Sequence, residues 1–168
     1  MTIRSKIVRI DRTVPFDPSS FIGQGWDFWR GPANSNGLRG EVWQDERSLA
    51  LTEIDCTKIG LKTCFKRRES DLKGEVLLRR LQASGDPILL DAGIFQHFWN
   101  DPHLFSRCFE GETVGQVNSV LFLGNLLRSP LCRRHVLYLC RIYGELRWFS
   151  LQLSEKWHPN FLAAVLTE

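Results

Sequence analysis

The sequence predicts an α+β protein, with an antiparallel sheet that includes a C-terminal three-stranded meander and with two helices packed on that sheet. Residues 117–153 contain three short apolar runs separated by turn residues, which is typical of a β-meander. Between residues 70 and 101, apolar residues instead recur at helical spacing. A chain of 168 residues can bury one core, and no shift in composition marks a boundary. We therefore expect a single domain spanning residues 1–168.

Three strands are expected before the first helix. Residues 3–10 mix charged and apolar side chains, as edge strands do to avoid aggregation. After a loop with a predicted turn at Asn36–Gly37, residues 49–55 and 59–65 follow. In the segment 59–65, the larger apolar side chains recur at every second residue, so they share one face of a strand.

Two helices are expected in the middle of the chain. Ser70 or Asp71 can cap the first helix, and Gly85 stands where a left-handed residue would end it. Asp91 is expected to start the second helix, which must end before Asp101–Pro102. Both segments carry an apolar stripe, formed by Leu72, Val76, Leu77 and Leu81 in the first and by Ile94, Phe95, Phe98 and Trp99 in the second.

Turn residues divide the meander at three places. Gly124–Asn125 and Ser129–Pro130 separate the first two apolar runs, and Tyr143–Gly144 separates the last two. A two-residue loop at Tyr143–Gly144 pairs Ile142 with Glu145 and fixes the register of the hairpin. In that register His135 lies opposite Gln152.

The predicted register leaves the meander apolar on both faces, so neither face can lie comfortably in water. The helices are expected to cover one of them. The other face must meet the N-terminal strands, a curled-over part of the sheet or another subunit. One face carries Val136, Tyr138, Phe149 and Leu151, and the other carries Leu137, Leu139, Leu146 and Trp148.

Composition and charge restrict the class of protein. The net charge of +3 permits an acidic partner without arguing for one. The sequence has no apolar run long enough for a membrane span and no apolar region typical of a secretory signal at its amino terminus, so we expect no membrane partner. Five cysteines are an odd number and are scattered, which favours free thiols in a reducing compartment. These observations predict a cytoplasmic protein.

Motifs for catalysis and metal binding are weak, and no cofactor or metal is expected. Cys132 and His135 have the spacing of two zinc ligands, but no second pair of similar spacing accompanies them. Glu53, Asp55 and Asp71 could hold magnesium in a nuclease, with Lys73 beside a phosphate. Because Asp71 is expected to cap a helix, a structural role explains the same residues.

Basic clusters supply the candidate binding residues. Arg128, Arg133, Arg134 and His135 are expected at the rim of the sheet, around the loop that joins two meander strands. A second cluster contains Arg67 and Arg68, before the first helix. Together with exposed Trp26 or Trp29, these residues could bind and stack on a nucleic acid. They could equally be a solvated exterior, because acidic residues are interspersed with them.

Several segments resemble a family of small uncharacterised bacterial proteins. The similar segments are 47–55, 90–95, 127–130 and 133–139, with Trp157 and the closing residues 164–166. Leu131–Cys132 departs from the family, which has a glycine-containing pair at that turn. The resemblance implies a bacterial source and brings no activity with it.

Two functions follow from these observations. The first is a non-catalytic binding or assembly module that binds a protein partner or a second copy of itself through the uncovered face of the sheet. The alternative is a nucleic-acid-binding or nucleic-acid-processing protein that uses the Arg-rich edge of the sheet.

Overall fold

The computed structural model describes residues 7–31, 43–85, 87–109 and 119–167. The turn expected at Asn36–Gly37 and residues 3–6 of the first expected strand lie outside these segments. The described helices are α1 (Pro18–Phe21), α2 (Glu46–Leu49), α3 (Gly74–Ala83), α4 (Ala92–Asn100) and α5 (Pro102–Phe109). The described strands are β1 (Ile7–Arg9), β2 (Asp27–Phe28), β3 (Glu53–Asp55), β4 (Ile59–Lys62), β5 (Leu72–Lys73), β6 (Ile88–Leu89), β7 (Ser119–Arg128), β8 (Arg134–Ile142), β9 (Glu145–Gln152), β10 (Lys156–Trp157) and β11 (Phe161–Leu166). A 3-10 turn, Cys56–Lys58, joins β3 to β4.

These elements form an α+β fold, which confirms the predicted class. The described segments contain five helices, however, where two were expected. The main sheet has the order β4–β11–β7–β8–β9, with β2 paired to β7 and β6 paired to β11. It is mixed rather than wholly antiparallel, because β11 runs parallel to β7. A parallel pair needs a crossover connection instead of a hairpin, and a local sequence pattern does not specify one.

The C-terminal meander is confirmed, since β8 pairs antiparallel with both β7 and β9. Ile142 pairs with Glu145 and His135 pairs with Gln152, so the predicted register is correct. Tyr143 and Gly144 both have positive φ, at 51° and 81°. Two successive residues of that kind form the type I′ turn, whose twist matches that of the strands it joins.

The turn expected at Gly124–Asn125 is wrong, because β7 continues through both residues. The pairing of β7 with β8 shifts register between Phe122 and Leu127, which marks a bulge. Glycine occupies this bulge because there is no space for a side chain. A Cβ atom on Gly124 would lie 2.4 Å from the carbonyl oxygen of Leu89. The chain turns instead at Ser129–Pro130, the second of the expected places.

Both faces of the β7–β8 part of the meander are covered within the described chain, whereas Phe149 of β9 is 40% exposed. On one face, Phe122, Leu137 and Leu139 belong to a buried cluster with the apolar side chains of α4 and α5. On the other face, Leu121 and Val136 belong to a cluster with the α3 residues Leu77, Leu78 and Leu81, and with Trp157 of β10. The second face therefore does not require another subunit to remove it from water.

The two expected helices differ in how well the sequence located them. α4 begins as predicted, because the side chain of Asp91 accepts hydrogen bonds from the backbone N–H groups of Gly93 and Ile94. α3 does not begin at Ser70 or Asp71. Its N-cap is Lys73, which makes no side-chain cap hydrogen bond. The first N–H groups of the helix donate instead to carbonyl oxygens of the segment between β9 and β10. Gly85, with φ of 72°, follows its end as predicted.

The N-terminal strands are shorter than expected. Of the strand expected at 49–55, only β3 forms. The side chain of Asp45 accepts a hydrogen bond from the N–H of Arg47 and starts α2, which occupies the chain as far as Leu49. The expected strand at 59–65 ends at Lys62. β1 pairs with β3 in a separate two-stranded sheet. In the described segments, no helix is long and apolar enough to cross a membrane.

A buried polar network joins these outer elements to the core. The carboxylate of Asp91, which is 1% exposed, accepts hydrogen bonds from both terminal nitrogens of the Arg12 guanidinium at 3.0 and 3.1 Å. It also accepts one from the hydroxyl of Ser48 at 2.6 Å. Burial raises the pKa of Asp91, but the hydrogen bonds from Arg12 and Ser48 outweigh that effect and leave the pKa below its usual value.

Candidate functional site

The basic residues predicted at the rim of the sheet lie together at the turn between β7 and β8. Arg128 ends β7 and pairs across the sheet with Arg134, the first residue of β8, and His135 follows. The turn itself is held by Ser129, whose N–H donates to the carbonyl oxygen of Arg133 at 2.9 Å. We call Arg128, Arg133, Arg134 and His135 the basic rim.

A cavity of about 160 Å³ opens beside the basic rim. One wall is formed by Arg133 and Arg134 and the opposite wall by residues of other elements. Trp29, from the segment after β2, is 4% exposed and contributes its indole. The other lining residues are Glu75 of α3, Cys132 of the turn, Gln152 of β9 and Ser154.

The charges at this cavity are only partly balanced. Arg134 donates to the carboxylate of Glu75 at 3.0 Å, and its guanidinium lies over the ring of Trp29, 5.9 Å from the ring centre. Such stacking on tryptophan stabilises a cation further. The side chain of Arg133 is exposed, whereas Arg128 donates a hydrogen bond to the sulfur of Cys132 at 3.6 Å. The cavity is therefore lined by two guanidinium groups, those of Arg133 and Arg134, and by the single carboxylate of Glu75.

Three buried side-chain nitrogens around this site have no hydrogen-bond partner among the described residues. They are Nε1 of Trp29, Nε of Arg128 and Nδ1 of His135. Buried nitrogens of this kind are usually hydrogen bonded, because leaving one without a partner costs about 1–3 kcal/mol. Of the three residues, Trp29 lines the cavity, whereas His135 packs on Trp26 beside the cluster on the other face of the sheet.

His135 is neutral at physiological pH. Burial lowers its pKa below the usual value, and Arg133 lowers it further, against an opposing effect of Glu155. The ring packs edge to face on Trp26, with the ring centres 5.0 Å apart. A neutral imidazole can either donate or accept through Nδ1, so His135 can adjust to the ligand.

Arg67 and Arg68 are not among the residues that line this cavity. They lie in the exposed segment between β4 and β5, and Arg68 has φ of 76°. In the described parts of the chain, no hydrogen bond or ion pair joins either residue to the basic rim. The neighbouring Glu69 pairs instead with Arg80, whose hydrogen bond lowers the pKa of Glu69 to about 2.

The carboxylates considered for magnesium have separate partners. Asp55 caps the 3-10 turn by accepting from the N–H of Thr57, and Asp71 pairs with Lys156 at 3.4 Å. Glu53 lies on β3, which belongs to a different sheet from the strand beside Asp71. Over residues 7–31, 43–85, 87–109 and 119–167, no three His, Cys, Asp or Glu side chains form a group able to hold a metal ion.

Sequence reasoning located the basic rim but missed the residues that enclose it. Trp29 was expected to be exposed for stacking on bases, and it is buried instead. Glu75, Gln152 and Ser154 reach the site from elements far apart in sequence, so no local pattern indicates them. The strand register does place Gln152 opposite His135, which was the one available signal.

No family of proteins, no curated protein and no solved structure was found to match this chain. The class of the protein is therefore given by its α+β fold, and its function has to be argued from the site.

Proposed function

We propose that the protein is a non-catalytic binding module that takes a carboxylate-bearing segment of a partner protein at the basic rim. The observation that carries the proposal is a cavity lined by Arg133, Arg134 and Trp29, where the buried Nε1 of Trp29 has no hydrogen-bond partner among the described residues. A bound carboxylate supplies acceptor oxygens, and arginine presents a planar pair of donors that matches it.

The size of the cavity favours one small group over a whole small molecule. Its volume is about 160 Å³. Pockets for complete small-molecule ligands are larger, at about 300–1,000 Å³. A side chain that enters the cavity while the rest of its chain stays on the surface fits this volume.

The surroundings of the cavity favour a protein over a nucleic acid. Leu131, at the tip of the β7–β8 turn, is 79% exposed and offers an apolar contact beside the arginines. Trp29 is buried and carries Arg134 on its ring, so it has no free face for a base.

The test is the binding of an acidic, leucine-containing peptide, measured by calorimetry on the full chain. The variant Arg133→Ala/Arg134→Ala is expected to weaken binding at least tenfold, since loss of a buried charge partner costs about 2–5 kcal/mol at an interface. The matched control, Arg67→Ala/Arg68→Ala, removes the same charge from the second cluster and should bind as the wild type does. Equal loss in both variants would show that only net charge matters.

Single-stranded RNA is the competing probe in the same experiment. Retention of RNA that falls steeply with salt, and that is lost in Arg133→Ala/Arg134→Ala, would favour the nucleic-acid alternative over the proposal. Binding of the peptide in preference to RNA at physiological salt supports the protein partner.

Self-association is a second candidate, and the position of β9 favours it. β9 is the last strand in the order of the main sheet, and no described strand pairs with its outer edge. Phe149 on this strand and Ile142 and Tyr143 at the hairpin tip are exposed apolar residues. An exposed edge of eight residues can pair with the same edge of a second copy.

Sedimentation measurements test this second candidate. A dimer at micromolar concentration that Phe149→Glu converts to a monomer supports pairing through β9. A wild-type monomer at the same concentration contradicts it and leaves the peptide experiment unaffected.

A further inference from the structure

Two cysteines from distant parts of the chain meet beside an arginine, away from the basic rim. Cys56 begins the 3-10 turn after β3, and Cys108 lies near the end of α5, which packs against that turn. Their thiols are within hydrogen-bond contact, and the guanidinium of Arg107 also donates a hydrogen bond to the sulfur of Cys56. Both cysteines are reduced.

The surroundings activate one of these thiols. The hydrogen bond from Cys108, opposed by burial and assisted by Arg107, lowers the pKa of Cys56 to about 7. Burial acts alone on Cys140 and raises its pKa, and burial also raises the pKa of Cys64. Burial by itself therefore does not produce the shift, and the contact between the two cysteines and the arginine does.

Access to the pair is limited but present. Cys56 is 7% exposed, and Cys108 is partly exposed beside it. A small oxidant can reach a site of this kind, whereas the bulk of a second protein cannot approach both sulfurs. Neighbouring thiols in which one is a thiolate at neutral pH are typical of redox-sensing cysteines.

We propose that Cys56 and Cys108 are a redox-sensitive dithiol that closes to an intramolecular disulfide when hydrogen peroxide oxidises the protein. The thiolate of Cys56 attacks one peroxide oxygen, the O–O bond breaks, and the leaving hydroxide takes a proton to become water. The resulting sulfenic acid on Cys56 is attacked by the sulfur of Cys108, and the S–O bond breaks. The lost hydroxyl group leaves with the Cys108 proton as a second water.

This site shares no residue with the basic rim, so it does not depend on the proposed function. Closing the disulfide would link the 3-10 turn to α5 covalently. Both elements contribute buried side chains to the cluster on the α4–α5 face of the sheet. Oxidation thus fixes two elements that otherwise meet only through packing.

The experiment treats the folded full-length chain with a small excess of hydrogen peroxide and maps its peptides without reduction. The expected product is a peptide pair joined through Cys56 and Cys108, lighter by two hydrogen atoms and separated again by dithiothreitol. The matched control, Cys64→Ser, removes another partly exposed thiol and should leave this product unchanged. In Cys108→Ser, Cys56 should stop at the sulfenic acid and be trapped by dimedone.

The contribution of the arginine has a separate readout. At pH 7, a thiol with a pKa of about 7 is ionised roughly 50-fold more than one with its usual pKa near 9. A thiolate of lower pKa is also a weaker nucleophile, so the rate of oxidation rises by only about fivefold. That fivefold belongs to the whole shift, to which the hydrogen bond from Cys108 contributes more than Arg107 does. Arg107→Gln should therefore slow the oxidation by less than fivefold, with an unchanged unfolding midpoint in urea.

Two results would overturn the proposal. One is disulfide formation through other cysteines at a rate equal to that of the Cys56–Cys108 pair. The other is oxidation of Cys56 to higher acids in the wild type while Cys108 stays reduced, which would mean that the two sulfurs do not react with each other.

Discussion

Replacing Gly124 with alanine tests the packing of β7 against the segment 89–91 directly. In the folded chain, the new Cβ would lie 2.4 Å from the carbonyl oxygen of Leu89 and 2.6 Å from the backbone nitrogen of Asp91. Ordinary contacts begin at 3.4 Å, so the two backbones must separate by about 1 Å. Neither contact can be relieved by rotating a side chain, because both atoms belong to the main chain.

The separation would weaken hydrogen bonds as well as packing. The N–H of Gly124 donates to the carbonyl oxygen of Leu90 at 2.9 Å, and its own carbonyl accepts from the N–H of Asp45 at 2.6 Å. Overpacking costs about 1–3 kcal/mol, and each weakened hydrogen bond costs about 1 kcal/mol. We expect Gly124→Ala to lower the free energy of unfolding by about 3–5 kcal/mol, a large part of the stability of a small domain.

Urea unfolding followed by tryptophan fluorescence measures this loss. Gly60→Ala is the matched control, since Gly60 also lies in a strand and a Cβ there would meet only a Val165 methyl group, at 3.9 Å. The control should keep or raise stability, by up to about 1 kcal/mol, because alanine fits there and loses less backbone entropy on folding than glycine does. Equal urea midpoints for Gly124→Ala and the wild type would refute the claim that the fold leaves no room for a Cβ atom at Gly124.

Three further predictions concern other single residues. Because the folded pKa of Asp91 lies below its usual value, its pairing with Arg12 stabilises the fold above about pH 4, and that stability is lost as the pH falls through the folded pKa. Asp91→Asn should therefore be much less stable than the wild type at pH 6, and urea midpoints should show the difference narrowing toward pH 3. Gly74→Ala should destabilise by about 1–3 kcal/mol, since the new Cβ would lie 2.2 Å from the buried ring of Trp157; a thermal melt at or above the wild-type temperature would contradict this. Tyr143→Asn should stabilise the hairpin by about 0.5–1 kcal/mol, because the side chain is fully exposed and asparagine tolerates positive φ better, and an unchanged or lower urea midpoint would oppose that reasoning.

The meander shows how far local patterns extend. Alternating apolar residues and the Tyr143–Gly144 turn were sufficient to predict the pairing of β8 with β9 residue by residue. The same approach failed at Gly124–Asn125, because a Gly–Asn pair in a sequence is typical of a turn. The actual reason for glycine there is the approach of another segment of backbone, which depends on residues more than 30 positions away in sequence.

The candidate site likewise has one part that the sequence located and another part that it did not. The arginines of the basic rim are close in sequence, so a pattern could find them. The environment of these arginines depends on Trp29, from the segment after β2, and on Glu75 of α3. Both residues line the cavity, and Glu75 forms the ion pair with Arg134. The contribution of Arg67 and Arg68 stays a prediction, because two basic clusters in one sequence carry no information about whether they converge.

What the sequence determined by itself was the class of the fold, the meander with its register, and the start of α4 at Asp91. These features depend on side-chain periodicity and on caps and turns that act within a few residues. The tertiary structure alone decided that β11 runs parallel to β7, that α3 covers the second face of the sheet, and that Cys56 meets Cys108. Such contacts join distant segments, and their energy depends on the packing of the whole chain rather than on any local pattern.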